Sequence, residues 1–260
     1  MAAPVFSKTL KRIQSEFRMM HSFLINDPLV KETLFTSNSR LFTVLRTTNL
    51  FFSFVVFIPI IASFWNFNLP SFLGYILCAF VVYLTWIFEL VTKSIILEEI
   101  RTLTIVQVSL HSVFGIWMGF YGKFHIYDFI LHLTGGMWLV FLIYPIVIGI
   151  ELLSTDSKNP FFYFKIVTIT LVAVTALGAF WEIGEFVSDL IFRNYPGYRL
   201  AQEDSLFDTM TDILANLIGT IAGMEIFWTT LKKLNKYRDM DLLFQRMGRA
   251  LKDYINNMKK

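Results

Sequence analysis

The sequence predicts an all-α polytopic membrane protein: a six-transmembrane-helix bundle with amphipathic cytoplasmic N- and C-terminal helices. Three observations carry this. Of 260 residues, 55% are hydrophobic and 17% aromatic, and the mean hydropathy is +0.56. The charged fraction is only 17%, below the roughly 25% usual in soluble domains. The apolar residues also collect in runs near the ~20 residues a helix needs to cross ~30 Å of hydrocarbon. Such a composition excludes disorder, a collagen-like fibre and a disulfide scaffold. Cys78 is the only cysteine and sits in an apolar run, so no intrachain disulfide forms. A net charge of +3, dispersed along the chain, gives no footing for nucleic acid.

Taken in order, residues 1–40 form a cytoplasmic amphipathic segment. Phe6, Leu10, Ile13, Phe17 and Met20 recur at helical spacing, and Lys8, Lys11, Arg12 and Arg18 occupy the other face. This segment is expected to lie on the membrane surface, and it does not read as a secretory signal peptide. The transmembrane domain covers 41–231. Its first run, 41–64, contains Arg46 near its start and Pro59, which should kink it. The others are 71–90, 102–121, 127–150, 161–192 and 207–231. The fifth exceeds what a bilayer requires. The basic tail 232–260 again opposes apolar residues (Leu242, Leu243, Met247, Leu251) to a charged face.

Orientation follows from the excess of Lys and Arg on cytoplasmic segments. Both tails are basic, so both are expected to be cytoplasmic, which requires an even number of crossings. The uncharged turn 66–70 then lies outside. Connections carrying Lys93 and Arg101, and Lys158 and Lys165, lie inside. Arg193 and Arg199 break the pattern in the last outer loop, among several acids. Small residues four apart, Gly115 and Gly119 on the third span and Ala215, Gly219 and Gly223 on the sixth, predict close helix contacts. No internal repeat is visible.

Ionisable groups within a span cost about 2.5–3.5 kcal/mol each, and here they gather in three places. The fourth span opens with Asp128 and His132, the fifth ends with Glu182, Glu185 and Asp189, and the sixth opens with Asp208, Asp212 and Asn216. All three ends face the outer leaflet. Spacings of three or four place each set on one helix face. At ~1.5 Å rise per residue the depths also agree: Asp128, Asp189 and Asp208 form an outer tier. His132, Glu185 and Asp212 lie about 6 Å deeper, and Glu182 and Asn216 about 10–12 Å deep.

Plainer explanations exist for some of these. Ser205 to Asp208 has the form of a capping box, Asp128 suits a helix start, and acids there are favoured by the macrodipole. They do not cover the acids at the C-terminal end of the fifth span, although its extra length allows Asp189 to be solvated. So many carboxylates in one place require protonation or a bound cation. Oxygen ligands with one imidazole suit Mg²⁺, Mn²⁺ or Ca²⁺ better than Zn²⁺ or Fe²⁺. The expected metal ligands are Asp128, His132, Glu185, Asp208, Asp212 and Asn216. Glu182 and Glu185 are candidate bases and Arg199 a candidate anion holder, so these three are the catalytic candidates. Elsewhere, Glu89 is expected to pair with Lys93. His111 and Gln107 lie mid-span, where hydrogen bonding to a neighbouring helix and function are equal alternatives. His125 reads as an exposed loop residue. Trp65, Trp117, Tyr121, Trp181, Tyr195 and Tyr198 read as an outer interfacial belt.

The run from Tyr127 to His132, then Phe180-Trp-Glu-Ile-Gly-Glu185, then Asp208 to Asp212 with Asn216, Gly219 and Gly223 resembles the uncharacterised YjdF-like bacterial inner-membrane family. A looser VanZ-like pattern is also present, with Glu185, Arg199, Asp212, Asn216 and Gly219 in its places. It departs from that pattern in lacking the Gln common after the Glu. The resemblance covers roughly residues 50–230 and implies a multi-pass protein of the bacterial plasma membrane, without supplying a substrate.

Three functions are open to such a chain. One is a metal-dependent enzyme that hydrolyses a lipid or envelope-precursor headgroup. The second is a cation- or proton-coupled transporter, and the third a non-catalytic sensor or assembly protein. Membrane lipid is the expected partner, and a homo-oligomer is an open alternative.

Overall fold

Pro59 divides the first hydrophobic run. Helix α1 (Ser39–Val55) stops four residues before it, where the proline ring would meet the Val55 carbonyl. Helix α2 (Ile58–Trp65) then takes Pro59 into its first turn, where no N–H is needed. The Asn68 side chain accepts a hydrogen bond from the Ser71 N–H at 3.1 Å and caps helix α3 (Leu69–Thr92). Helix α4 (Glu98–Ser109) continues into a π-helical segment, Leu110–Trp117, and Gly119, with φ of +72°, turns the chain after it. A single turn, α5 (Phe120–Lys123), precedes the three long helices α6 (Tyr127–Glu151), α7 (Phe161–Phe192) and α8 (Leu206–Leu234). This computed structural model describes residues 39–92, 96–153, 161–202 and 205–234, with Gly248, Arg249, Lys252 and Asn256. Apart from those four positions, and 39–40 and 232–234 which belong to α1 and α8, the expected tail helices lie outside the described residues.

Among the described residues every element is helical, and five helices are long and apolar enough to cross a membrane: Leu41–Trp65, Leu69–Val91, Tyr127–Glu151, Phe161–Phe192 and Leu206–Thr230. The run expected at 102–121 is helical too, as α4 and the π segment, but it is not one of the five. Its polar residues face inward: Arg101, Thr104 and Ser112 are all buried. Among the described residues, large apolar side chains crowd the outside, and polar ones are buried beside the apolar core clusters. Phe164 and Phe180 are 70% and 67% exposed, whereas Thr104, Thr170 and Thr220 are fully buried. An apolar exterior is what lipid solvation of the outer surface requires.

Helix α6 sits at the centre and packs most extensively on α8, then on α7. Small residues set the α6–α8 distance. Gly219 faces the Leu133 carbonyl, Gly136 faces the Asn216 carbonyl, and a Cβ on Gly223 would lie 2.9 Å from Met137 Cα. The stripe through Ala215, Gly219 and Gly223 therefore makes the close contact its spacing predicts. Gly115 and Gly119 do not. The Tyr121 ring fills the space over Gly115, and Gly119 supplies the left-handed turn.

A closed ionic network ties α1, α3 and α4 together. Arg46 donates to Glu98 at 2.7 Å and to Glu89 at 3.1 Å. Arg101 donates to Glu98 at 3.3 Å and to Thr85 at 2.9 Å, and its guanidinium stacks 3.6 Å from the Trp86 ring centroid. Arg101 Nη2 also lies 2.7 Å from Glu89 Oε1, a charge contact rather than an aligned hydrogen bond. Asn49 and the Ile96 N–H complete the carboxylates' partners. Two arginines thus balance two glutamates. Glu89 is engaged here; Lys93, its expected partner, lies outside the described residues.

Candidate functional site

The α6–α8 contact places Asp212 beside His132, and α7 brings Glu182 and Glu185 to the same point. His132 Nε2 lies 3.4 Å from Asp128 Oδ1 and 3.9 Å from Asp212 Oδ2, and its Nδ1 lies 3.6 Å from Glu182 Oε1. Two overlapping sets, Asp128 with His132 and Asp212, and His132 with Glu182 and Glu185, each hold their ligand atoms within 4.8 Å of one another. His132, Glu182 and Asp212 are buried, and Asp128 and Glu185 partly so. Five of the expected residues, Asp128, His132, Glu182, Glu185 and Asp212, thus gather around one imidazole, while Asp189 and Asp208 do not join them.

The details differ from the expected tiers. His132 was placed level with Glu185 and Asp212, yet the carboxylate nearest it on α7 is that of Glu182. Gly178, one turn before Glu182, explains this: it packs against the Asn216 side chain, leaving 2.8 Å for a Cβ. That contact turns the Gly178–Glu182 face of α7 toward α6 and α8. Glu185 is held by a 2.7 Å hydrogen bond from Trp181 Nε1, and Trp181 packs edge-on to His111. Trp181 thus belongs to the site's wall rather than to the outer belt.

Asp128 does not cap α6. Ile126 occupies the cap without a side-chain bond, and the Asp128 carboxylate turns to His132. At α8 the capping arrangement is real: the Asp208 N–H donates to Ser205 Oγ at 3.4 Å. Asp208 lies outside the two sets of candidate ligands. Asn216 sits one turn below Asp212, buried at the crossing, with Thr220 Oγ1 donating to its carbonyl at 2.8 Å. Arg199 is exposed, its guanidinium carbon 5.1 Å from the Tyr121 ring centroid.

Asp189 organises the loop between α7 and α8. It accepts hydrogen bonds from Tyr198 Oη at 2.8 Å and from the Ala201 and Gln202 N–H groups at 2.7 and 3.0 Å. Burial, reinforced by this carboxylate, pushes the Tyr198 phenol up to about 12. Gln202 Nε2 reaches down to the Glu182 carbonyl at 3.1 Å, and Tyr195 Oη donates to the Phe67 carbonyl in the turn between α2 and α3. Sequence reasoning missed Gln202, because nothing local marks a loop amide that will fold back onto a helix. Gln107 and His111 are hydrogen-bonded to neighbours: Gln107 to the Leu131 carbonyl at 3.0 Å, and His111 Nδ1 to Tyr121 Oη at 2.5 Å.

The contrast with the network of Arg46 and Arg101 is chemical. There each carboxylate meets arginines. Here His132 is the basic side chain within ion-pair distance of Asp128, Glu182 and Asp212. Both carboxylate oxygens of Glu182 are buried without a hydrogen-bond partner, and the residue is 4% exposed. An oxygen-rich, electron-donating set of this kind fits a hard divalent cation.

Comparison with known proteins gives a family and no activity. A family model described as "Predicted membrane protein (DUF2238)" matches residues 48–233. The YjdF-like resemblance fits that family broadly. An uncharacterized protein of Thermotoga maritima is 28% identical over 175 residues, 66% of this chain and 83% of its own length. No solved structure matches.

Proposed function

The chain belongs to the DUF2238 family of predicted membrane proteins, and on that footing we propose that it binds a divalent cation beneath the outer membrane surface and acts there on a lipid or envelope-precursor headgroup. The observation that carries this is Glu182, a buried carboxylate with no hydrogen-bond partner, 3.6 Å from the imidazole that three acids share. Unpaired buried carboxylates are costly, and a cation shared with His132, Glu185, Asp128 and Asp212 offsets that cost. Mg²⁺, Mn²⁺ and Ca²⁺ suit the set best. Asp208 and Asn216, each four residues from Asp212 along α8, are the remaining proposed ligands. A bound ion supplies a polarised phosphoryl or carbonyl oxygen and an acidified water. Glu182 or Glu185 accepts the proton, and Arg199, as in the VanZ-like pattern, holds an anionic group at the outer mouth.

The reading includes six crossings. Helix α4 with its π segment is not among the five helices that qualify by length and composition, but Glu98 and Arg101 are paired inside the bundle, which offsets their cost in lipid. Six crossings put both basic tails in the cytoplasm of a bacterial cell, with the protein in the plasma membrane.

The test is metal content by mass spectrometry on detergent-purified protein equilibrated with Mn²⁺, beside Glu185→Gln and Asp212→Asn variants. Stoichiometric Mn²⁺ in the parent, lost in both variants, is expected. Metal-free parent protein, with variants of the same stability, overturns the reading. Ion flux in liposomes without turnover would select transport instead.

A further inference from the structure

We propose that the π-helical segment Leu110–Trp117 is a positioning device for the candidate cation site, acting from Tyr121 through His111 and Trp181 on the Glu185 carboxylate. This rests on the cation-binding reading above and assigns positioning residues to it. Glu185 belongs to the candidate ligand set that also holds His132 and Glu182. Its Oε1 accepts the 2.7 Å hydrogen bond from Trp181 Nε1, one turn back on α7. That bond fixes the side-chain torsions and keeps the other carboxylate oxygen for the ion, as outer partners do for metal-ligating groups.

The α7 surface around Trp181 does not hold the indole inward, since Phe180 and Ile183 beside it are exposed. The His111 ring does, edge-on at 84° with centroids 4.9 Å apart. His111 lies in the π segment, whose i→i+5 turns are rare and shift the side chains that follow off the α-helical register. Its Nδ1 is hydrogen-bonded to Tyr121 Oη at 2.5 Å. The left-handed turn at Gly119 lets α5 fold Tyr121 back over Gly115, where a Cβ would collide with the ring. Tyr127 closes the array. Its ring stands at 90° to that of Tyr121, 5.3 Å away, and its Oη donates to the Leu110 carbonyl at 2.6 Å, at the first residue of the π segment. Tyr121, His111 and Trp181 thus form an unbroken series of contacts that ends on a candidate ligand. Plain core packing would need these rings but not the Tyr121 hydroxyl.

The full-length chain, purified in detergent and labelled with fluorotryptophan, tests this by Mn²⁺ titration and fluorine NMR. The resonance missing from Trp181→Phe identifies Trp181. Tyr121→Phe keeps the ring over Gly115 and removes only the hydroxyl. In chelator it should shift the Trp181 resonance, with His111 standing between the two residues. It should also weaken Mn²⁺ binding about tenfold, the low end of the effect of losing such a partner. Trp181→Phe should weaken binding at least as much. His111→Phe, which keeps a ring against Trp181 and loses the bond to Tyr121, gives the same two readouts a second time. Melting temperatures in chelator identify any variant that fails to fold. A Trp181 resonance unmoved in folded Tyr121→Phe and His111→Phe, or parental Mn²⁺ affinity in those variants, overturns the positioning role. A parent that binds no Mn²⁺ overturns the cation reading instead, and the positioning role falls with it.

Discussion

His132 Nδ1 and Glu182 Oε1 stand 3.6 Å apart, just beyond hydrogen-bond length, while His132 Nε2 faces both Asp128 and Asp212. A neutral imidazole offers one N–H and an imidazolium two. Neither can satisfy the carboxylates of Asp128, Glu182 and Asp212 together. The shortfall is in positive charge, and it defines what the site lacks.

Glu182→Gln should therefore uncouple stability from metal. In chelator, its melting temperature is expected to equal or exceed the parent's, because a buried charge is removed. At a hundredfold excess of Mn²⁺ over Kd the parent should gain about 2.7 kcal/mol, and the variant nothing. Thermal melts with and without Mn²⁺ measure both; an equal gain in the variant would count against the ligand assignment.

Arg101→Met should be far more damaging than any change at the candidate site. It leaves Glu89 and Glu98 buried with half their cationic partners, a loss of about 3–5 kcal/mol. Unfolding in detergent should register it, and chelator should not alter the difference from the parent.

Gly219→Val should separate α6 from α8, because its side chain must displace the Leu133 backbone. Overpacking of this kind costs about 1–3 kcal/mol. Since that contact aligns Asp212 with His132, Mn²⁺ affinity should fall along with stability, whereas Gly74→Ala, at a position with open space around it, should change neither.

The Tyr198 phenol predicts alkaline behaviour of the outer loop. Its folded value of about 12 exceeds the ordinary 10.0. The folded state therefore retains the proton longer than the unfolded state. The stability this provides is complete below pH 10 and is lost as pH rises through about 12. Difference absorbance between parent and Tyr198→Phe should show a phenol ionising late. Limited proteolysis of 193–202 should accelerate over the same range in the parent.

Much of this site is legible before folding. Spacings of three and four on spans four, five and six, with the constant rise of a helix, are enough to put Asp128, His132, Glu182, Glu185 and Asp212 at comparable depths. The Ala215–Gly219–Gly223 stripe likewise announces its contact. Rotation about a helix axis is another matter. Glu182 and Glu185 differ by only about 60° around α7, and which one meets His132 depends on Gly178 seating against Asn216. Trp181 looks like a belt residue because its amphipathic ring suits an interface, and only the position of Glu185 turns it inward. The π segment that contains His111 leaves no mark in hydropathy. The third span reads as 102–121, yet its helix begins at Glu98, because Glu98 and Arg101 find partners on α1 and α3 that no local pattern announces.

The central claim is that His132 and its neighbouring acids hold a divalent ion. Pulsed electron paramagnetic resonance of Mn²⁺ added to the purified full-length chain tests it most directly. Imidazole nitrogen coupling to bound Mn²⁺, absent in His132→Gln, is the predicted result. A spectrum of fully hydrated Mn²⁺, the same in parent and variant, would contradict the account.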